Sequence, residues 1–373
     1  MPPVVIDVRS ADDTRDVVHR AVQALAEGKL VALPTETVYG LAASALSESA
    51  VQRLLAVKGR SADNPFALGI KSAEEALDYV PDMSPLGQRL GRRCWPGPVT
   101  LVVQDRHPDS LLSQLPATVR AAIMPGDTVG LRVPAHQTTL DVLRMLPGPI
   151  VLSSANRKGM PDTVTAQEVV QALGDDVHLV LDDGRSRFGQ PSSVVHVSAT
   201  GLKILRQGVF SEQTLKRLSS LMILFVCTGN TCRSPMAEHL CRKLLAEKMG
   251  CPLAQLEDRG VMVSSAGIAA MMGGRPSQEA VDVLAQEGLS LDDHYSQPLT
   301  EQLARHADHI LAMTRSHRLA ILAEWPESAE RTTLVCRDGG DVADPIGGTP
   351  DQYRRCAAQI KTELEAWVRE LEV

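Results

Sequence analysis

The apolar run Leu221-Met-Ile-Leu-Phe-Val226 leads straight into Cys227-Thr-Gly-Asn-Thr-Cys-Arg-Ser-Pro235, and this junction constrains the fold more than any other segment. An unbroken apolar run of that length reads as a strand covered on both faces, which belongs in a parallel sheet. A short glycine-containing loop follows, and Pro235 falls where a helix would take its first turn. A buried strand passing through a small loop into a helix opens an α/β layer. Such a loop turns its backbone N–H groups inward, where they cradle a tetrahedral anion with help from the helix N-terminus. Arg233 can fork onto two phosphoryl oxygens and carry charge that develops during transfer. The same positive field favours a thiolate at Cys227, a strong nucleophile beneath a bound phosphorus. The plainer alternative is a buried structural cysteine near a surface arginine. Of the seven cysteines, however, only Cys227 has an arginine six positions later, and it lies at the strand-to-helix junction.

Phosphoryl transfer needs an acid for the leaving group. Asp344 lies in the turn-rich stretch Asp338-Gly-Gly-Asp-Val-Ala-Asp-Pro-Ile-Gly-Gly348, and Pro345 biases it toward an extended conformation that projects its side chain. Decoration of a turn is the plainer role for such an aspartate; beside the phosphate loop, the acid role is preferred.

Both sides of residues 208–221 alternate amphipathic helices with short β-rich runs. TRDVVHRAVQALAEG predicts a helix stopped at Gly28, and SESAVQRLLAVKG a second, capped by Ser47 or Ser49. LVALPT, VTLVV, VGLRV, PIVLS, VHLVL and SSVVHV predict strands. GVFSEQTLKRLSSL reads as a short polar helix between two units. VMVSSAG, SQEAVDVLAQEG, HILAMT and HRLAILAEW continue the second alternation. Tyr353, Cys356, Ile360, Leu364 and Trp367 recur at helical spacing in the last stretch. The expected domains are 1–210 and 221–373, joined by a linker at 211–220.

Residues 1–220 hold 23 acidic and 23 basic side chains, whereas the remainder holds 22 and 15, so the net charge of −7 belongs to the second part. Neither part has the basic excess of a dedicated nucleic-acid binder. No Cys/His spacing suits a metal, no run is long enough to span a bilayer, and the first residues lack the basic and apolar regions of a secretory leader. The expectation is a cytoplasmic chain with no membrane partner.

The second part resembles the low-molecular-weight protein tyrosine phosphatases: CTGNTCRSPMAE, SSAGIAA, ILAMTRSH and ADPIGG stand in that family's order. The resemblance implies a Rossmann-like, doubly wound parallel sheet and a metal-free, cofactor-free phosphatase acting on phosphorylated proteins. Cys227 becomes phosphocysteine, and Thr228, Gly229, Asn230, Thr231, Cys232, Arg233 and Ser234 hold the phosphoryl group. Asp344 protonates the leaving group and then deprotonates water, while Ser234 eases departure of the sulfur. Thr231 makes the loop similar to that of the protein-arginine phosphatases, where tyrosine-directed members carry a bulkier aliphatic residue; phosphoarginine is therefore favoured over phosphotyrosine. Ile346 departs from the aromatic residue usual after Asp-Pro. Arsenate reductases of this fold relay a disulfide through extra cysteines, and none lies between Cys251 and Cys336.

The first part resembles the YrdC-like threonylcarbamoyl-AMP synthases through LPTETVYGLAA, KGRSADNPF, WPGPVTLVV, VGLRVPAH, PIVLSSANRKG, PSSVVHV and KILRQGV, in family order. It implies a twisted α/β sheet that joins L-threonine, bicarbonate and ATP, with Mg2+ accompanying the ATP, for tRNA threonylcarbamoyladenosine synthesis with partner proteins. Lys58, Arg60, Ser154, Asn156 and Arg206 would bind ATP, and Thr35, Arg132 and Ser192 threonine. Gly69 stands where many members carry histidine. That departure supports an alternative: a phosphatase joined to a catalytically weak nucleotide- or RNA-binding module.

Overall fold

Fourteen strands are gathered into two separate sheets in the computed structural model, which describes residues 2–59, 65–198 and 201–372. The chain divides between Leu218 and Ser219 into two units, each with its own cores.

The first unit is built on a ten-stranded mixed sheet. Its strands run in the order Val4–Asp7, Leu179–Asp182, Val31–Leu33, Gly40–Ser44, Ile150–Ser154, Ala67–Gly69, Thr128–Arg132, Val99–Gln104, Ser193–Ser198, Gly201–Arg206. Side chains alternate between two apolar layers: Ala32, Leu41 and Ala43 join one core, and Val31, Leu33 and Ala42 the other. Helix Thr14–Ala26 is capped by Asp13, and Glu48–Lys58 by Ser47, whose hydroxyl accepts from the Ala50 amide at 3.3 Å. Residues 211–220, expected as a linker, contain helix Glu212–Ser219, whose Leu215 is buried in the first unit's core.

The second unit has a four-stranded, wholly parallel sheet in the order Val261–Gly267, Leu221–Cys227, His309–Ala312, Thr332–Leu334. Alternation again divides the strand. Ile223 and Phe225 pack with helices Arg233–Met249, Gln278–Gln286 and Pro350–Glu370, and Leu224 and Val226 with Glu301–His306 and Arg315–Glu324. Helices thus cover both faces, which is the doubly wound arrangement. The chain leaves Leu221–Cys227 for a neighbour on one side and later returns to the other side. Its C-terminal end is therefore a topological switch point, where open α/β sheets bind ligands. Among the described residues no helix is long and apolar enough to cross a membrane.

Candidate active sites

Cys227 ends the central strand of the second sheet, and helix Arg233–Met249 begins six residues later with Pro235 in its first turn. Between them Asn230 adopts φ 55°, the left-handed conformation that asparagine tolerates, and this bends the loop around the sulfur. The Asn230 amide donates to Cys227 Sγ at 3.2 Å, and Ser234 Oγ lies 3.0 Å from the same sulfur. The amides of Thr228, Gly229, Thr231 and Cys232 donate to no acceptor among the described residues, leaving a set of open donors in the loop. Open amides at a helix start need an anion or water.

Side chains brace this loop from outside. Asn230 Nδ2 donates to Ser234 Oγ (2.9 Å) and Ser265 Oγ (2.8 Å), and its Oδ1 accepts from the Gln297 amide at 2.9 Å. His294 Nε2 lies 2.9 Å from the Asn230 carbonyl oxygen. His317 is buried with its ring between Thr228 Oγ1 (2.8 Å to Nε2) and Thr314 Oγ1 (2.9 Å to Nδ1). Burial and the Arg233 cation hold His317 below the ordinary histidine value, so the ring is neutral at pH 7. Thr231 is half-buried, with its hydroxyl 3.6 Å from Cys232 Sγ. Cys232 Sγ donates to Ser277 Oγ at 3.3 Å. Burial pushes the Cys356 thiol up to about 12, which leaves it protonated and inert beside the site.

Arg233 is 5% exposed; its Nη1 donates to the Val342 carbonyl (3.2 Å) and its Nη2 to Asp344 Oδ2 (2.5 Å). The acid candidate, more than a hundred residues away in sequence, therefore stands against the guanidinium of the phosphate loop. Ile346 is solvent-exposed, and its amide donates to Asp344 Oδ1 at 3.2 Å.

The first unit encloses a cavity of about 490 Å³ lined by Thr35, Arg132, Ser154, Ser192 and Arg206, among others. Arg206 Nη2 donates to the Ser192 carbonyl (2.8 Å) and to Ser192 Oγ (3.1 Å), and burial pushes the Arg206 guanidinium down from its ordinary value. Arg132 Nη2 donates to Glu36 Oε1 (2.9 Å) and Thr37 Oγ1 (2.7 Å). Arg132 Nε and Ser153 Oγ are buried without a hydrogen-bond partner among the described residues, a costly state. Lys58 and Asn156 lie behind Ser154. Lys58 Nζ donates to the Ser154 carbonyl (2.8 Å), the Asn156 carbonyl and Asn156 Oδ1 (2.8 Å). Arg60 lies outside the described residues. Gly69 does not line the cavity, and a Cβ placed on it would lie 2.8 Å from Ile150 Cγ1.

Comparison with known proteins matches residues 23–208 to the Sua5/YciO/YrdC family model, described as telomere recombination. Residues 222–373 match the low molecular weight phosphotyrosine protein phosphatase model. The threonylcarbamoyl-AMP synthase of Mus musculus is 33% identical over 58% of this chain and 75% of its own length. The protein-arginine-phosphatase of Bacillus subtilis is 40% identical over 40% of this chain and 93% of its own length. The chain belongs to both families. Against the threonylcarbamoyl-AMP synthase of Pyrococcus abyssi it is 36% identical over 52% of its own residues, spanning 54% of that relative's length.

In the phosphatase-family unit, the residues that sequence reasoning left unassigned are the braces Ser265, His294, Gln297 and His317. Ser265 and His317 sit inside SSAGIAA and ILAMTRSH, so the signal was present but had no local meaning. Gly267 is a further one. A Cβ there would clash with the Thr228 carbonyl and lie 2.9 Å from the Asn230 amide nitrogen, so the loop can rest on this strand end only if the residue is glycine. Gly267→Ala is expected to cost about 1–3 kcal/mol of stability. It should also weaken vanadate binding by about tenfold or more, because both backbones must move. Vanadate titration with a parallel melt checks this, and unchanged affinity would remove the close-approach argument. In the synthase-family unit, Tyr39, Phe66, Thr100 and Ser153 join the cavity wall without having been singled out in the sequence.

Proposed function

We propose that the chain is a bifunctional enzyme. Its second unit removes phosphate from phosphoproteins through Cys227, preferring phosphoarginine to phosphotyrosine. Its first unit joins L-threonine, bicarbonate and ATP into threonylcarbamoyl-adenylate and pyrophosphate, supplying tRNA threonylcarbamoyladenosine synthesis in the cytoplasm together with partner proteins.

The observation that carries the phosphatase reading is the set of unclaimed loop amides at Thr228, Gly229, Thr231 and Cys232 around the Cys227 sulfur. Phosphoryl oxygens accept from these amides and from Arg233. The Cys227 thiolate attacks phosphorus, an S–P bond forms as the bond to the leaving nitrogen or oxygen breaks, and Asp344 delivers the proton to the leaving atom. Water then attacks the phosphocysteine, Asp344 takes its proton, and the S–P bond breaks. The returning thiolate is met by Ser234 Oγ and the Asn230 amide, the two groups already at 3.0 and 3.2 Å from the sulfur. Asp344 Oδ2 accepts from Arg233 Nη2 at 2.5 Å, and this closeness to the phosphate-binding guanidinium supports the acid role.

The arginine preference rests on Thr231, whose hydroxyl can meet a guanidinium or its water, and on the relative named protein-arginine-phosphatase. Thr231→Ile is expected to lower the phosphoarginine-to-phosphotyrosine ratio of kcat/KM by about tenfold, the scale of one lost polar contact. Paired phosphopeptides measure it; identical ratios in both proteins would end the specificity argument.

In the first unit, Thr35, Arg132 and Ser192 would hold threonine, and Ser154 and Arg206 would face the ATP phosphates, with Lys58 and Asn156 supporting Ser154 from behind. Arg60 is assigned to ATP on sequence resemblance alone. Among the described residues the cavity lining contains hydroxyls and arginines but no carboxylate, so those residues do not fit a protein-held magnesium site. A magnesium ion arriving with ATP would be held by the phosphates and water.

A further inference from the structure

Along strand Thr332–Leu334, the edge of the second unit's sheet, a surface groove of about 690 Å³ is lined by Arg315, Arg318 and Arg337 together with Leu319 and Trp367. Among the described residues no acidic side chain lines it, although the unit that contains it carries all of the chain's net negative charge. Arg318 spends only its Nε, on the Thr332 carbonyl at 3.1 Å, and neither of its Nη atoms has a partner among the described residues. Arg315 reaches outward to Asp341 (3.4 Å) in a solvent-exposed pair that exchanges readily, whereas Arg337 holds Glu370 through both Nη atoms (2.9 Å each), a firmer pair with which an incoming acidic chain must compete.

Among the described residues the strand pairs only with His309–Ala312; its Thr332 carbonyl is taken by Arg318 Nε, and the edge beyond Thr332 can accept the backbone of an extended chain. Leu319, 64% exposed, and Trp367 offer apolar contacts for side chains of such a strand. The groove also adjoins the catalytic segment. Gly339 lines it, and the Arg315 amide donates to Asp341 Oδ1 at 2.8 Å, three residues before Asp344.

We infer that this groove docks an extended acidic segment of the phosphoprotein substrate and so selects phosphosites that have acidic sequence nearby. The inference rests on the phosphatase reading above, and two separate measurements keep them distinguishable. The first is fluorescence-polarisation binding of a non-phosphorylated Asp/Glu-rich peptide to the full chain, which needs no turnover. Binding should weaken about tenfold in Arg318→Glu/Arg337→Glu, and likewise when salt is raised from low to several hundred millimolar. The second is kcat/KM for phosphopeptides with acidic or neutral flanks. The acidic preference should vanish in the double variant, while hydrolysis of a small aryl phosphate stays within twofold of wild type. Arg337→Glu alone, which leaves the Arg318 contact to Thr332 in place, should give an intermediate loss. Equal binding of acidic and neutral peptides would overturn the docking site, as would a preference that survives charge reversal or tighter binding of a single-stranded oligonucleotide. Failure to hydrolyse the aryl phosphate, with acidic-peptide binding intact, would overturn the phosphatase reading instead.

Discussion

Cys227→Ser is expected to lose phosphopeptide and aryl-phosphate hydrolysis by about 10⁴-fold or more, equivalent to about 5.5 kcal/mol of barrier. The loop would be left almost unchanged, because serine is smaller by little and the Asn230 amide and Ser234 hydroxyl can still reach its oxygen. What is lost is the reacting atom: sulfur is the stronger nucleophile toward phosphorus, whereas a hydroxyl without an adjacent base is a weak one. The variant should therefore melt within a few degrees of wild type and still bind vanadate or phosphate. Synthase activity should be unaffected. Rapid quenching of the wild type should trap phosphate on Cys227 as an acid-sensitive adduct absent from the variant. Hydrolysis within tenfold of wild type would mean that some other group attacks phosphorus.

Lys58→Met should abolish the activity of the other unit, lowering threonine- and bicarbonate-dependent ATP–pyrophosphate exchange by about 10²–10³-fold. Lys58 is buried at 3% exposure, and its ammonium gathers the Ser154 carbonyl, the Asn156 carbonyl and Asn156 Oδ1 at the end of strand Ile150–Ser154. Methionine keeps the volume but takes the ammonium donor from the Ser154 and Asn156 carbonyls, while Asn156 Oδ1 keeps the Ser154 hydroxyl at 2.7 Å; each buried group left unmet costs about 1–3 kcal/mol. The turn that presents Ser154 to the cavity then loses its fixed shape. Phosphatase activity should be retained in the same preparation, which serves as the control for folding of the second unit. Exchange within twofold of wild type would show that Lys58 has no part in the reaction.

How far the sequence could be read depended on the range over which each feature is decided. The junction from Leu221 to Pro235 was legible because strand, loop and helix are all specified within fifteen consecutive residues, and the apolar run is long enough to have one interpretation. Ser47 as a helix cap was legible for the same reason. Strands such as Gly40–Ser44 and Ala67–Gly69 were not. They are short and made of small residues with weak strand preference, and they exist because neighbours on both sides pair with them. Asp344, which the structure sets against Arg233, could be singled out through its proline-framed turn. His317 and His294 could not, since each meets the loop across more than sixty residues; the motif that ends at His317 has no meaning without the loop it braces. Arg132 could be placed in the cavity by resemblance, yet its engagement with Glu36 and Thr37 emerges only in three dimensions.

The strand that ends at Cys227 is clamped between two parallel neighbours, and its side chains alternate between two apolar layers. One residue inserted or deleted between Leu221 and Val226 would exchange the layers and carry the sulfur to the opposite side of the sheet. This six-residue stretch should therefore tolerate swaps among aliphatic side chains far better than any change in its length. Lineages that keep the reaction would be free to vary its chemistry but not its spacing.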